Sequence, residues 1–492
     1  MSSIEKVSDL LARKAEIALG GGKEKLEKQK QNGSMTARER ISALFDEGSF
    51  IELGAFVSSR CENTAADGVV TGYGTVDGRL VYAYSQDKTV LSGAIGELNA
   101  EKIAKLFDLA LKMGAPIVGM LDSDGVRLEE GVLSQAAMGK LLSCSSKASG
   151  VIPNVSIVFG TCAGGSAIAA EMSDFVIMNE KSGRLFVNGP SVIEASTGKK
   201  SPADAKENVN VSGNAHFLAE DDMGCLGLAR LLLSYLPSNN LSDAFEFETA
   251  DDINRTCDAL NNIDQIDDVR IVIAEVADDK AFFESQAGYA SEAITGFVRL
   301  NGSTVGAIGT NGKELSGKAL QKISRFVRFC DCYNIPVLTF TDVDGFVVSA
   351  AEEEYGLAKK AATLVYAFTG ATVPKVNVIV KKAYGTAYTI MNSSQSGADI
   401  VLAYPTAEAA PLNAEAGMRI LYNDRLHAGE NKDALIEEYK ENDASIYNAA
   451  KLGYVDDVIS PSETRQRVIA AFEMLRSKRA SVASRKHDNM PL

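Results

Sequence analysis

The sequence predicts an α/β protein built from two similar domains in tandem, and three observations carry that reading. First, one segment occurs twice. Residues 153–175 read PNVSIVFGTCAGGSAIAAEMSDF, and residues 374–399 read PKVNVIVKKAYGTAYTIMNSSQSGAD. Each is a proline, a β-rich run of alternating apolar residues, a small-residue turn and a helix-like stretch ending in an acid. Pro153 precedes Gly164 and Gly165 by 11 and 12 residues, and Pro374 precedes Gly385 and Thr386 by the same spacings, 221 residues further on. Second, helix and strand patterns alternate in the same order around both copies, as in a central sheet covered by helices. Third, 492 residues are too many for one core.

Taken in order, residues 1–45 read as helical, with a charged interruption at GGGKEKLEKQKQNGS that is a solvated helix or linker. Thr36 is placed to cap a helix carrying Ile41, Leu44 and Phe45 at helical spacing. Residues 67–86 alternate around Asp77-Gly78, a hairpin signal. A helix near 94–113, a strand at 116–121, a helix near 131–148 and a strand at 155–160 follow. The region 237–268 is acidic and poor in apolar periodicity, so the domain boundary falls near 245, giving domains 1–245 and 246–492. The second half repeats the order: a hairpin turning at Asn301-Gly302, then helix 316–333, strand 336–341, helix 352–369, strand 376–381 and helix 386–393. An amphipathic helix at 463–479 and an irregular tail at 480–492 end the chain.

Bulk properties narrow the function. Apolar content of 46% and charged content of 23% are those of a soluble globular protein. A net charge of −15 argues against a nucleic-acid or anionic-membrane binder, while leaving room for local basic patches that hold an anionic ligand such as coenzyme A. No apolar run has the length of a membrane span. The N-terminus is amphipathic and acid-containing, unlike a signal or transit peptide, so a cytoplasmic location is expected. The seven cysteines, Cys61, Cys144, Cys162, Cys225, Cys257, Cys330 and Cys332, are scattered and odd in number, and read as reduced thiols. Three dispersed histidines, His216, His427 and His487, do not make a metal site, and no metal is expected. Chemistry through histidine or cysteine is not indicated.

The two turns can do chemistry of another kind. Where a strand stops at small residues and feeds a helix, the first helical N–H groups have no intrahelical partner, and the helix dipole adds partial positive charge. Two such groups aimed at one point make an oxyanion hole. Gly164-Gly165 fits this in the first half; Thr386-Ala387, preceded by Gly385, fits it in the second. A lone Gly-Gly is usually only a tight turn, but the repeated context favours a role for both. Such a pair suits a reaction with two enolate-like intermediates, in which a substrate or cofactor supplies the base.

With these residues in place, the chain resembles the carboxyltransferase subunits of biotin-dependent acyl-CoA carboxylases and decarboxylases, the family of the propionyl-CoA carboxylase β subunit and the methylmalonyl-CoA decarboxylase α subunit. The resemblance runs from about residue 10 to the C-terminus. It rests on Met35–Ile41 (MTARERI), Ser85-Gln86-Asp87, Asp122–Gly131, Gly160–Gly165, Ser173-Asp174-Phe175, Arg325–Pro336, Ala371–Pro374, Ala383–Tyr388 and Arg485–Leu492. It implies two tandem crotonase-like (ββα superhelix) domains, and a hexamer with active sites between the N-domain of one subunit and the C-domain of its partner. The N-domain would bind acyl-CoA and the C-domain biotin. A thioester enolate would rest on Gly164 and Gly165, and the biotin ureido oxygen on Thr386 and Ala387, with the biotin nitrogen as the base. Gly125, Ala163, Gly345, Phe346, Gly385, Tyr388 and Thr389 would line the substrate and biotin sites. No Met-Lys-Met biotinylation motif is present, so biotin must arrive on a separate carrier subunit.

The chain departs from the family pattern at five places. Asp124-Gly125 stands where relatives have two glycines, and Lys88 replaces a usual phenylalanine. Lys88 could meet a CoA phosphate, although a surface lysine is the plainer reading. Asp344–Ser349 lacks both prolines and the last glycine of the biotin-side loop, which leaves that loop's geometry open. Thr386 serves as a donor only with negative φ. Thr389 occupies a position tied to acyl selectivity in the family, and assigns no acyl group. Several functions therefore compete: an ATP-dependent carboxylase working with a biotin carboxylase subunit, a sodium-pumping decarboxylase working with a membrane subunit, an inactive structural paralogue, and a free-standing hydratase using Glu129 and Glu130.

Overall fold

Asp77 and Gly78 both take positive φ, 50° and 77°, and turn the first hairpin between β2 (Val69–Val76) and β3 (Arg79–Gln86). Asn301 and Gly302 do the same, at 51° and 79°, between β10 (Ala293–Leu300) and β11 (Ser303–Thr310). This turn needs two left-handed residues to match strand twist, which is why Asp-Gly and Asn-Gly mark it. The structure is a computed structural model and describes residues 2–59, 64–199, 201, 203–481 and 483–491. Cys61 and Leu492 lie outside the described residues.

The chain divides into two units, Met1–Ser242 and Asp243–Leu492. In the first, β1 (Ile51–Leu53), β2, β3, β4 (Ile117–Ser123), β5 (Asn154–Ala163), β6 (Phe175–Asn179) and β8 (Phe217–Ala219) lie in that order across one sheet, with β7 (Arg184–Phe186) added to the end of β5. In the second, β9 (Phe283–Ser285), β10, β11, β13 (Val337–Phe346), β14 (Lys375–Tyr384), β15 (Ile400–Ala403) and β17 (Asp457–Val458) repeat the order. Here β16 (Glu408–Ala410) extends β14, and β12 (Lys313–Leu315) pairs with β13. The duplication read from one segment therefore covers a whole sheet.

The central strands are buried on both faces, so they read as near-continuous apolar runs. All of β4 and β6 is buried. In the first unit, helices Glu97–Met113 and Val132–Ala148 cover one face, with Ile103, Phe107, Met138 and Leu141 in the core. In the second, Val269–Val276 and Thr464–Leu475 pack Ile273 and Ile469 beside Phe340 and Val378.

Each sheet carries a bulge at the same place. Pairing of β4 with β5 slips between Leu121 and Ser123, leaving Asp122 unmatched, and pairing of β13 with β14 slips between Thr341 and Val343, leaving Asp342 unmatched. A bulge bends a strand and redirects it. Beyond it, β5 and β14 pair with β7 and β16. This is why the strands expected at 155–160, 336–341 and 376–381 run on to Ala163, Phe346 and Tyr384. The helix expected at 352–369 is two pieces, Ala350–Glu354 and Leu357–Gly370, broken at Gly356 with φ of 84°. The helix expected at 386–393 is only Gly385–Thr389, and Asn392 beyond it has φ of 52°. The charged N-terminal segment is helical over Lys23–Gln31. Among the described residues no helix is long and apolar enough to cross a membrane.

Candidate active site

The first turn begins where β5 ends at Ala163. Gly164 has φ of 59° and ψ of −122°, a conformation that admits glycine alone without strain, although a Cβ there would meet nothing within 4 Å. Its N–H donates to the carbonyl of Phe186 on β7 at 2.9 Å. Gly164 thus shapes the turn, and its own amide is engaged within the protein. The amides that open helix Gly165–Glu171 without an intrahelical acceptor are those of Gly165 and Ser166. In the 221-residue offset these correspond to Thr386 and Ala387. Gly165 is demanded by packing: a Cβ there would stand 2.6 Å from Cγ of Met138.

Gly125, with φ of 113°, lies against this turn, and a Cβ on it would come 3.8 Å from the Ala163 carbonyl. The neighbouring Asp124 pairs with Lys88, so two departures from the family pattern meet as an ion pair. Lys88 borders a cleft of about 330 Å3, lined also by Lys25, Lys28, Asp122, Gly160 and Thr161 among others. Lys88 is thus a cleft residue rather than a stray surface lysine.

Asp122 is the floor of this region. Burial pushes its carboxyl up, while the guanidinium of Arg40 draws it down. Arg40 is fully buried, donates to Asp122 at 3.3 Å and Asp222 at 3.2 Å, and stacks 4.3 Å from the Phe159 ring centroid. Gly160 leaves the space this needs, since a Cβ there would stand 2.2 Å from Asp122 Oδ1. The MTARERI motif therefore anchors the bulge: Thr36 caps the helix, Met35 N–H donates to Asp222, and Arg40 reaches Asp122.

The second turn is built on the same plan and held differently. Gly385 has φ of 63°, and a Cβ there would come 3.3 Å from the Pro411 carbonyl. Thr386 has none of the positive-φ strain that would bar it as a donor. It is exposed at the head of helix Gly385–Thr389, while Ala387 is buried. Tyr384, the residue before the turn, donates its hydroxyl to Glu408 of β16. Lys382, two residues earlier, pairs with Asp344 at 3.0 Å, and its N–H donates to Asp342. Burial raises the Asp342 carboxyl as it does that of Asp122. Tyr388 is half-buried beside the cluster of Ile379, Ala383 and Val401, with its hydroxyl pushed up to about 12 by burial. Thr389 is exposed, and its hydroxyl donates to the Gly385 carbonyl at 3.3 Å.

Gly345 and Phe346 end β13, where they pair with Glu314 and Leu315 of β12. The structure thus gathers Gly125, Ala163, Gly164 and Gly165 in the first unit. It gathers Gly385, Thr386, Ala387, Tyr388 and Thr389 in the second, with Gly345 and Phe346 on the strand beside β14.

Other candidates fall to structural duties. Glu130 is taken by Arg127 at 3.1 Å and by the Glu97 N–H at 2.6 Å, and Glu129 is exposed, so no acid pair of the hydratase kind is formed by them. His216 is buried edge-on to Phe175 and accepts the Val176 N–H at Nδ1. Cys330 is buried and Cys332 exposed. Among the described residues, no three His, Cys, Asp or Glu side chains are arranged to hold a metal. The roles of Arg40, Met138, Phe186 and Glu408 escaped sequence reasoning, because each acts across a long loop and carries no local signal.

Residues 28–490 match the carboxyl transferase domain. The methylmalonyl-CoA decarboxylase α subunit of Veillonella parvula is 43% identical, with all of both chains covered. A putative propionyl-CoA carboxylase β chain of Bacillus subtilis is 42% identical, over 99% of this chain and 100% of the relative. A crystal structure of transcarboxylase 12S, a hexamer with methylmalonyl-CoA and methylmalonic acid bound, superposes with a TM-score of 0.96 over the whole of both chains at 37% identity. The two repeated sheets, their matching turns and these full-length matches together place the chain in the carboxyl transferase domain family.

Proposed function

We propose that this chain is the carboxyltransferase subunit of a biotin-dependent enzyme, moving a carboxyl group between biotin borne on another subunit and the α-carbon of a short acyl-CoA. The observation that carries this reading is the turn built twice, each with a left-handed glycine followed by helix-opening amides. The amides of Gly165 and Ser166 would hold the thioester oxygen as negative charge develops on it, and those of Thr386 and Ala387 would hold the ureido oxygen of biotin. Each donor of such a hole is worth about 3–4 kcal/mol to the transition state. Biotin, when bound, supplies both the carboxyl group and the base, so a site without catalytic histidine or paired acids is sufficient. The second turn fits that group: Gly385 has no side chain to block approach, and Thr386 keeps a backbone that leaves its amide presentable. Lys25, Lys28 and Lys88 give the first cleft the charge to receive CoA phosphates.

Both units expose large apolar side chains, including Val132, Ile168 and Val187 in the first and Val348, Leu412 and Ile420 in the second. Patches of this kind suit burial against further copies of the chain, in keeping with a hexamer. A second reading, the α subunit of a methylmalonyl-CoA-type decarboxylase running the reverse half-reaction, is favoured by the Veillonella relative. The partner would be a membrane subunit for a decarboxylase and a biotin carboxylase for a carboxylase.

The test offers purified protein free biotin with malonyl-CoA, methylmalonyl-CoA and glutaconyl-CoA. Biotin-dependent decarboxylation of one thioester supports the reading and names the acyl group. Binding of all three without turnover, also after addition of a biotinylated carrier, would favour the inactive paralogue.

A further inference from the structure

The two turns share a backbone and differ in what secures it. At the first, the residue before the left-handed glycine is Ala163, and the turn is tied by the Gly164 amide to Phe186 and by Gly165 against Met138. At the second, the corresponding residue is Tyr384. Its side chain is 2% exposed, and its hydroxyl donates to Glu408. Glu408 begins β16, whose three residues pair with Lys382–Tyr384, and Lys440 stands 3.9 Å from its other oxygen. Pro411, directly after β16, places its carbonyl over Gly385. One side chain therefore links the turn to the strand that roofs it.

We infer that Tyr384 and Glu408 are positioning residues for the second turn: their hydrogen bond holds Thr386 and Ala387 in the orientation that a bound oxygen requires, and the first turn does not depend on it. Burial and the adjacent carboxylate both push the Tyr384 hydroxyl far up, so it stays protonated across the working range and acts as a fixed donor, not a proton source. A charge-assisted hydrogen bond is stronger and more directional than a neutral one, which suits a brace. Small misplacement of catalytic donors is expensive in rate. The consequence for the reaction rests on the carboxyltransferase reading; the consequence for the turn does not.

The experiment compares Tyr384→Phe, Glu408→Ala and Glu408→Gln with the parent protein by two readouts. Amide hydrogen exchange is followed in peptides covering 384–391 and 163–171. Biotin-dependent turnover is followed with its KM for acyl-CoA. Tyr384→Phe and Glu408→Ala are expected to speed exchange at least tenfold in the 384–391 peptide alone, and to lower kcat at least tenfold with an unchanged KM for acyl-CoA. Glu408→Gln keeps an acceptor for the hydroxyl and is expected to stay within a fewfold of the parent in both. Unchanged exchange at 384–391, equal acceleration at both turns, or a kcat within twofold of the parent in Tyr384→Phe would overturn the inference. A parent protein without biotin-dependent turnover would instead count against the proposed function, and the exchange data would still judge the brace.

Discussion

The amide of Gly164 donates to the carbonyl of Phe186 across 2.9 Å, joining the first turn to β7 by the backbone alone. The left-handed glycine and the helix-opening amides are thus carried by neighbouring residues, and they can be altered separately.

Gly165→Pro removes one amide at the first helical position, where proline is well accepted. A ring there would press on Met138, so the variant is best made together with Met138→Ala. Turnover is expected to fall about 100- to 1,000-fold with unchanged circular dichroism. Gly164→Ala keeps its amide and instead carries a backbone strain of about 1–3 kcal/mol, read as a lower urea midpoint. A Gly165→Pro protein with full turnover would remove this turn from the mechanism.

Thr386→Pro removes an amide in the first turn of the other helix. Biotin-dependent turnover is expected to be lost while acyl-CoA binding, measured by calorimetry, stays within twofold. Loss of both together would count against assigning the two ligands to different turns.

Arg40→Met strands Asp122 and Asp222 in the interior without their shared cation. Breaking a buried pair in this way is expected to lower unfolding free energy by about 3–5 kcal/mol. Arg38→Met loses a partly exposed partner, Glu52, and should lower it by less than about 1 kcal/mol. Chemical denaturation of both variants separates the cases.

Lys88→Met and Asp124→Asn test the ion pair at the cleft. Both partners are substantially exposed, so their coupling in stability should stay below about 1 kcal/mol. The larger effect is expected in binding: Lys88→Met should raise the KM for acyl-CoA severalfold, and the difference should shrink as salt is added.

Burial holds Lys102, Lys322 and Lys375 at about 8, below the ordinary 10.5. A lysine depressed on folding contributes stability that is present above 10.5 and lost as pH falls through 8. Unfolding free energy should therefore rise between these limits, by at most about 1.4 kcal/mol per pH unit for each group. Lys322 donates to the carbonyls of Gln286, Tyr289 and Ala293, and Lys322→Met removes its titration. The variant is expected to be less stable throughout and to show a shallower rise, measured by urea unfolding on either side of the window.

The sheet, the hairpins and the two turns were legible because their signals are local. Asp77-Gly78 and Asn301-Gly302 announce left-handed backbone, and a proline, an apolar run and a small-residue turn announce each central strand and its end. The carboxyltransferase family was legible through motifs spread along the chain. The bulges at Asp122 and Asp342 were not, since an unmatched residue is defined only by a partner strand distant in sequence. For the same reason Gly164 could be placed in the turn while the destination of its amide could not, as Phe186 lies 22 residues on. Helix 386–393 was overestimated because its apolar spacing continues past Thr389, whereas the left-handed Asn392 ends the path.

The strand β12 pairs three residues with β13 where the first unit has a single bridge, Ile95 to Val126, and it changes how the segment Asp344–Ser349 is restrained. A proline stiffens a loop covalently and permanently. Here Gly345 and Phe346 are instead laced to Glu314 and Leu315, and Val347 donates to the Leu315 carbonyl at 3.1 Å. Lacing of this kind comes undone one rung at a time. The segment beside the second turn therefore has a reversible fastening where a ring would give a permanent one.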